Sequence, residues 1–158
     1  LWLRRQPQLD YLGTDLDGAR YRHIPNFTAA DITATPFPDD AFDVIVCSHV
    51  LEHVPDDAAA MRELRRILRP GGAALLLVPE ATDDGPTDED ASVRDAVERH
   101  RRFGQWDHVR LYGRRDFTGR LEKAGFVVEL YNPGADDPVL CAAAKLNPEE
   151  RLRIARKC

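Results

Sequence analysis

The sequence predicts an α/β fold built on a parallel sheet, and three stretches carry that prediction. Residues 42–48 and 73–78 are short, nearly continuous apolar runs, as expected for parallel strands covered on both faces. Between them, Met61, Leu64, Ile67 and Leu68 form one apolar stripe at helical spacing. Residues 41–79 therefore read as a βαβ unit with a right-handed crossover. Sheets of this kind bind ligands at the carboxyl ends of their strands.

The remaining elements follow in order. Residues 1–6 read as the tail of a helix stopped by Pro7. Because the chain opens at Leu1 rather than Met, an N-terminal piece is expected to have preceded it. Residues 9–14 and 27–30 read as strands that end on Asp15 and Asp31, and residues 35–40 as a turn-rich connection. In the central helix, Pro55 sits near the start and Asp56 and Asp57 in the first turn, where acids suit the macrodipole. Pro70-Gly71-Gly72 is its expected stop. Residues 80–109 exceed the usual loop length and read as a lid or substrate insertion. Within them a weak helix is expected over 92–102, with Ser92 as its N-cap. A helix over 115–124 ends at Gly125. Strands are expected over 126–131 and 139–145, then an arginine-rich helix within residues 146–158. One domain spans residues 1–145.

Bulk properties narrow the class. A chain of 158 residues is enough for one domain with its own core, and 43% hydrophobic with 31% charged residues is ordinary for a globular protein. The net charge of −5 argues against a nucleic-acid partner. No apolar run approaches the ~18 residues needed to span a membrane, and no signal peptide is visible. Cys47, Cys141 and Cys158 have neither metal-ligand spacing nor a disulfide framework, which fits a reducing cytoplasm.

The chemistry starts from strand ends. An acid after a strand of a nucleotide-binding sheet, such as Asp15, accepts hydrogen bonds from ribose hydroxyls. Asp31 ends the next strand, where a carboxylate meets the exocyclic amine of a base. Either residue alone also fits an acid that merely caps a turn. Together with the strand end at Ser48-His49 they outline one crevice.

The residues in that crevice belong to a longer pattern. Tyr11 to Asp17 (YLGTDLD), Ala30-Asp31-Ile32, Pro36 to Asp43 (PFPDDAFD), His49 to Val54 (HVLEHV), Leu68 to Gly72 (LRPGG) and Lys123 to Phe126 (KAGF) occur in that order. The set resembles the class I S-adenosylmethionine-dependent methyltransferases, in particular the type 11-like domain. Phe103 to Arg110 (FGQWDHVR) is similar to a subgroup of small bacterial-type members. The resemblance implies a Rossmann-like three-layer sandwich with strand order 3-2-1-4-5-7-6, strand 7 antiparallel and supplied by residues 139–145. It also implies that the first strand and its cofactor turn precede Leu1. By position, Asp15 would hold the cofactor ribose and Leu16 pack on its adenine. Asp31, with Ile32 beside it, would bond the adenine amine, and Ser48 and His49 would line the methionine end. Methyl transfer is then an in-line displacement, governed by alignment. If a base is needed, His108, His53 and Tyr112 are the candidates, and Trp106, His108 and Arg110 the substrate contacts on the lid side. The acceptor is expected to be a small molecule.

Three rival readings use the same residues. His49-Val50-Leu51-Glu52-His53 fits the inverted zinc-protease pattern H-x-x-E-H, but that motif needs a helix through all five residues. Here a strand ends at Ser48 and Pro55 follows closely, so no metal site is expected. A nicotinamide dinucleotide would use Asp15 equally well. A degenerate domain would bind a partner through residues 80–109 without catalysis.

Overall fold

The computed structural model describes residues 5–21 and 23–158, so most of the helix tail expected over residues 1–6 lies outside the described residues. Strand β1 (Gly13–Asp15), the short helix α1 (Gly18–Tyr21) and strand β2 (Phe27–Ala29) come first. β1 and β2 pair in parallel, Gly13 opposite Phe27 and Asp15 opposite Ala29. Strand β3 (Phe42–Ser48) follows, then a 3-10 turn over Leu51–His53 and helix α2 (Asp57–Ile67). The Asp56 carboxylate caps α2 by accepting from the Ala59 N–H at 2.8 Å. The chain leaves α2 earlier than Pro70. Leu68 is already extended and opposite Phe42, opening strand β4 (Leu68–Leu77). Gly72 is required there, since a Cβ would stand 2.8 Å from the Asp43 carbonyl oxygen and 2.9 Å from that of Arg69.

Beyond β4 the chain forms strand β5 (Asp88–Glu89), helix α3 (Ala96–Phe103), strand β6 (Arg110–Leu111), helix α4 (Arg114–Lys123) and strand β7 (Val127–Tyr131). The cap of α3 is Asp95, not Ser92, and its carboxylate accepts from the N–H groups of Val97 and Glu98. Ser92 instead spends its hydroxyl on Asp90, at 2.6 Å. The chain ends with helices α5 (Pro133–Asp136) and α6 (Pro138–Ala144) and strand β8 (Leu152–Arg156).

The last two elements correct the sequence reading. Residues 139–145 are not a strand, because a short apolar run does not by itself distinguish strand from buried helix. Three consecutive alanines, an Asp137 cap on Leu140 N–H and Pro138 in the first turn settle on helix. The antiparallel strand is β8, in the region read as an arginine-rich helix, where Leu152-Arg153-Ile154-Ala155-Arg156 alternates with period two. β8 lies between β4 and β7 and is antiparallel to both. The main sheet thus has the order β3-β4-β8-β7, the 4-5-7-6 part of the implied order. β1 and β2 form a separate pair, and among the described residues no strand joins them to β3.

A second correction concerns covering. Register puts Cys47, Leu76 and Arg153 on one face, with Ala74 and Ala155 level with them. That face packs under Met61 and Leu64 of α2 and Phe117 and Leu121 of α4 in a single core. The opposite face carries Val44, Val46 and Val127, each 58% exposed. Right-handed crossovers progressing in one direction across a sheet place their helices on the same side. From β3 to β4, and from β4 onward to β7, the chain moves in one such direction, so α2 and α4 share a face.

Candidate functional site

Asp15 and Asp31 stand at the ends of the parallel strand pair, both exposed. Each carboxylate organises its own turn. Asp15 Oδ1 accepts from the Asp17 N–H at 2.9 Å, and Asp31 Oδ1 accepts from the Thr33 N–H and hydroxyl at 2.8 and 2.7 Å. The Thr33 bonds lower the Asp31 carboxyl below its ordinary value and keep it ionised. Leu16 is 75% exposed beside Asp15, whereas Ile32 packs on the main core.

β3 ends in a sharp turn. His49 adopts φ 54°, uncommon for any residue but glycine, and donates its N–H to the Leu77 carbonyl at 2.9 Å. Ser48 and His49 are both exposed. The turn breaks His49-Val50-Leu51-Glu52-His53 into a left-handed residue followed by a 3-10 turn, so the continuous helix of the H-x-x-E-H protease motif is absent. A cavity of about 150 Å³ opens beyond the carboxyl ends of β3 and β4, lined by His49, Val78, Pro79, Glu80, Arg114 and Arg151 among others. Burial pushes the Glu80 carboxyl up, against the pull of Arg153, Arg151 and Arg114. A larger cavity of about 480 Å³, between α6 and the loop after it, is lined by none of the expected cofactor, substrate or catalytic residues.

Residues 108–112 are clamped against the 3-10 turn. The Val109 N–H donates to the Glu52 carbonyl at 2.9 Å. Arg110, 4% exposed, donates to the carbonyls of Leu51, Val54 and Pro55 and to the Glu89 carboxylate. Its guanidinium is thus committed to holding backbone. The hydroxyl of Tyr112, fully buried, donates to Asp57 Oδ2 at 2.7 Å, and burial beside that carboxylate raises the phenol far above its usual range. Tyr112 is therefore locked in its protonated form. Arg120 joins Asp57 to Glu89, at 3.0 and 2.6 Å.

The histidines converge here. His108, 6% exposed, has Nδ1 2.9 Å from the Phe103 carbonyl. Its ring meets that of His53 edge-on, with centroids 4.7 Å apart. His53 Nδ1 lies 3.5 Å from Asp107 and its Nε2 3.9 Å from Glu52. Trp106, in the same segment, is 64% exposed. The structure therefore groups His53 and His108 but turns Arg110 and Tyr112 into supports for them. The sequence reading weighs Glu52 only as the acid of the rejected H-x-x-E-H pattern, gives Asp107 no role and takes Asp57 for a helix-start acid only. The available signal is Glu52-His53 and Asp107-His108, two short polar pairs whose meeting only tertiary packing reveals.

Comparison with known proteins places this arrangement. The family model described as a methyltransferase domain matches residues 1–131. The chain belongs to the methyltransferase-domain family. The ubiquinone/menaquinone biosynthesis C-methyltransferase UbiE of Hahella chejuensis is 45% identical over 51 residues, 32% of this chain and 20% of that protein. The uncharacterized protein YafE of Escherichia coli is 31% identical over 113 residues, 70% of this chain and 52% of that protein. A methyltransferase from Thermotoga maritima, described as S-adenosylmethionine-dependent and a possible histamine N-methyltransferase, shares the fold. It has a TM-score of 0.63 and 16% identity, covering 92% of this chain and 72% of that one. The chain thus spans about a fifth of the length of the first of these curated relatives and about half of the second.

Proposed function

We propose that the protein is an S-adenosylmethionine-dependent methyltransferase acting on a small-molecule acceptor. The observation that carries the reading is the parallel β1–β2 pair, which ends in two exposed acids, Asp15 and Asp31, within a chain of the methyltransferase-domain family. The donor set suits the cofactor. Ionised Asp31 accepts from an amino group, and Asp15 accepts from paired hydroxyls. Leu16 and Ile32 offer apolar walls to a flat ring, Ser48 ends β3 and His49 after it borders the cavity.

When bound, S-adenosylmethionine supplies a methyl group already activated on a sulfonium. The chain's own task is then alignment and exclusion of water, worth several orders of magnitude in rate. Residues 80–109 serve as the substrate-side insertion, anchored by the β5–β6 pair and by the Glu80–Tyr112 bridge, with exposed Trp106 as a contact for the acceptor. Any proton transfer is served from the His53–His108 cluster, since Tyr112 is held protonated by Asp57. A reducing, cytoplasmic setting suits the three free cysteines. No helix among the described residues is long and apolar enough to cross a membrane.

Calorimetric titration of S-adenosylhomocysteine into the full protein tests this. Saturable binding at one site is expected, with at least a tenfold loss in Asp15→Ala, about 1.4 kcal/mol for the lost hydrogen bonds. No binding by the wild-type protein overturns the cofactor assignment.

A further inference from the structure

Glu52 is the most unusual side chain in the fold. It is 1% exposed, and neither carboxylate oxygen has a hydrogen-bond partner among the described residues. A buried carboxylate left this way is costly unless a charge compensates it. Its nearest cationic candidates do not suffice. His49 Nδ1 lies 3.4 Å and His53 Nε2 3.9 Å from Oε1, without hydrogen-bond geometry.

The neighbouring imidazoles are arranged for a different partner. A carbonyl oxygen only accepts, so the contact between His108 Nδ1 and the Phe103 carbonyl at 2.9 Å places the proton on Nδ1. That leaves a lone pair on Nε2. On His53 the Asp107 carboxylate lies 3.5 Å from Nδ1, an ion-pair contact, while Nε2 faces Glu52 at 3.9 Å. Metal-bound histidines are oriented as His108 is, with the second ring nitrogen donating to a carbonyl or carboxylate. One donor atom from each of Glu52, His53 and His108 lies within 4.8 Å of the others.

We propose that Glu52, His53 and His108 bind one divalent transition-metal ion through two imidazole nitrogens and one carboxylate. Two histidines and a carboxylate suit zinc, manganese or iron(II), and leave coordination positions open to water or a substrate oxygen. Ligand atoms around a tetrahedral zinc lie about 3.3 Å apart, so the donors close in by a rotation of the Glu52 and His53 side chains. The backbone on both sides is already fixed by the Val109–Glu52 hydrogen bond and by Arg110. His49 stands at the rim, 57% exposed, with Nδ1 3.4 Å from Glu52 and its side chain bordering the cavity at the strand ends. The site differs from the protease motif in using His108 in place of the His49–His53 pair on one helix. It does not use the strand-end acids Asp15 and Asp31, and with an ion bound His53 and His108 are ligands that no longer take a proton.

The test is titration of the chelator-stripped protein with Zn²⁺ and Mn²⁺ by calorimetry, with Co²⁺ absorption reporting coordination. One equivalent with micromolar or tighter affinity is expected for at least one of the two ions. Glu52→Gln and His108→Gln should each weaken binding at least tenfold, and Asp107→Asn less than tenfold through the lost charge beside His53. The metal-free Glu52→Gln protein should melt no lower than wild type, because it loses an unpaired buried charge. Should a buried variant not fold, His53→Gln, on a half-exposed residue, gives the same readout. Absence of saturable binding, or binding that survives these substitutions unchanged, overturns the proposal.

Discussion

The two faces of the four-stranded sheet are built from the same alternating strands and meet opposite fates. On one, Ala74, Leu76 and Ala155 are fully buried beneath α2 and α4. On the other, Val44, Val46 and Val127 are exposed. Strand sequence does not distinguish them, since Val-Ile-Val-Cys and Ala-Leu-Leu-Leu are apolar on both sides. The direction in which the chain crosses the sheet does. Apolar composition thus marks a strand as fit for burial, while connection handedness decides which side receives helices.

The sharpest way to break this comparison is a truncation on the covered face. Leu76→Ala should cost about 2–5 kcal/mol in denaturant unfolding, as expected for a packed core leucine. A loss below about 1 kcal/mol would mean that the covered face is not the core.

A second prediction concerns how the helix layer is tied down. Glu63 of α2 accepts from the Thr35 N–H and hydroxyl at 2.7 Å each, and Arg66 bonds both Glu63 and the Phe37 carbonyl. Led by the Arg66 contact, these bonds lower the Glu63 carboxyl to about 2. The ordinary value is 4.5, so the contribution is complete above that pH and lost as pH falls towards 2. Unfolding midpoints measured between pH 5 and 2 should fall less steeply for Glu63→Gln than for wild type. Equal slopes would remove Glu63 as an anchor.

The smallest effect belongs to the open face. Val46→Thr should change stability by less than about 1 kcal/mol, because a 58% exposed side chain surrenders little buried area. A loss matching that of Leu76→Ala would show that this face is covered in solution.

Legibility in the sequence followed the range of the interactions. β3, α2 and β4 were readable because a buried run and an apolar stripe are local signals. The stop of α2 was misplaced by a few residues, since the pairing of Leu68 with Phe42 takes over before Pro70. α6 and β8 were exchanged. Arg153 looked like a helix-surface residue, yet its guanidinium is 2% exposed against Glu80 and lies 5.3 Å from the centre of the Phe117 ring. Nothing near it in the chain announces those partners. Arg110 was read as a substrate contact on the strength of its neighbours, whereas three carbonyls of the 51–55 turn claim it.

The sequence by itself determined the α/β class, the central βαβ unit, the strand-end acids Asp15 and Asp31, and the family to which they belong. These depend on hydrophobic period, turn chemistry and motif order, all written within short windows of chain. Only the tertiary structure decided which sheet face is covered, where the antiparallel strand lies, and that Glu52, His53 and His108 share one cluster. Those outcomes depend on partners distant in sequence, whose burial and charge are fixed when the elements pack.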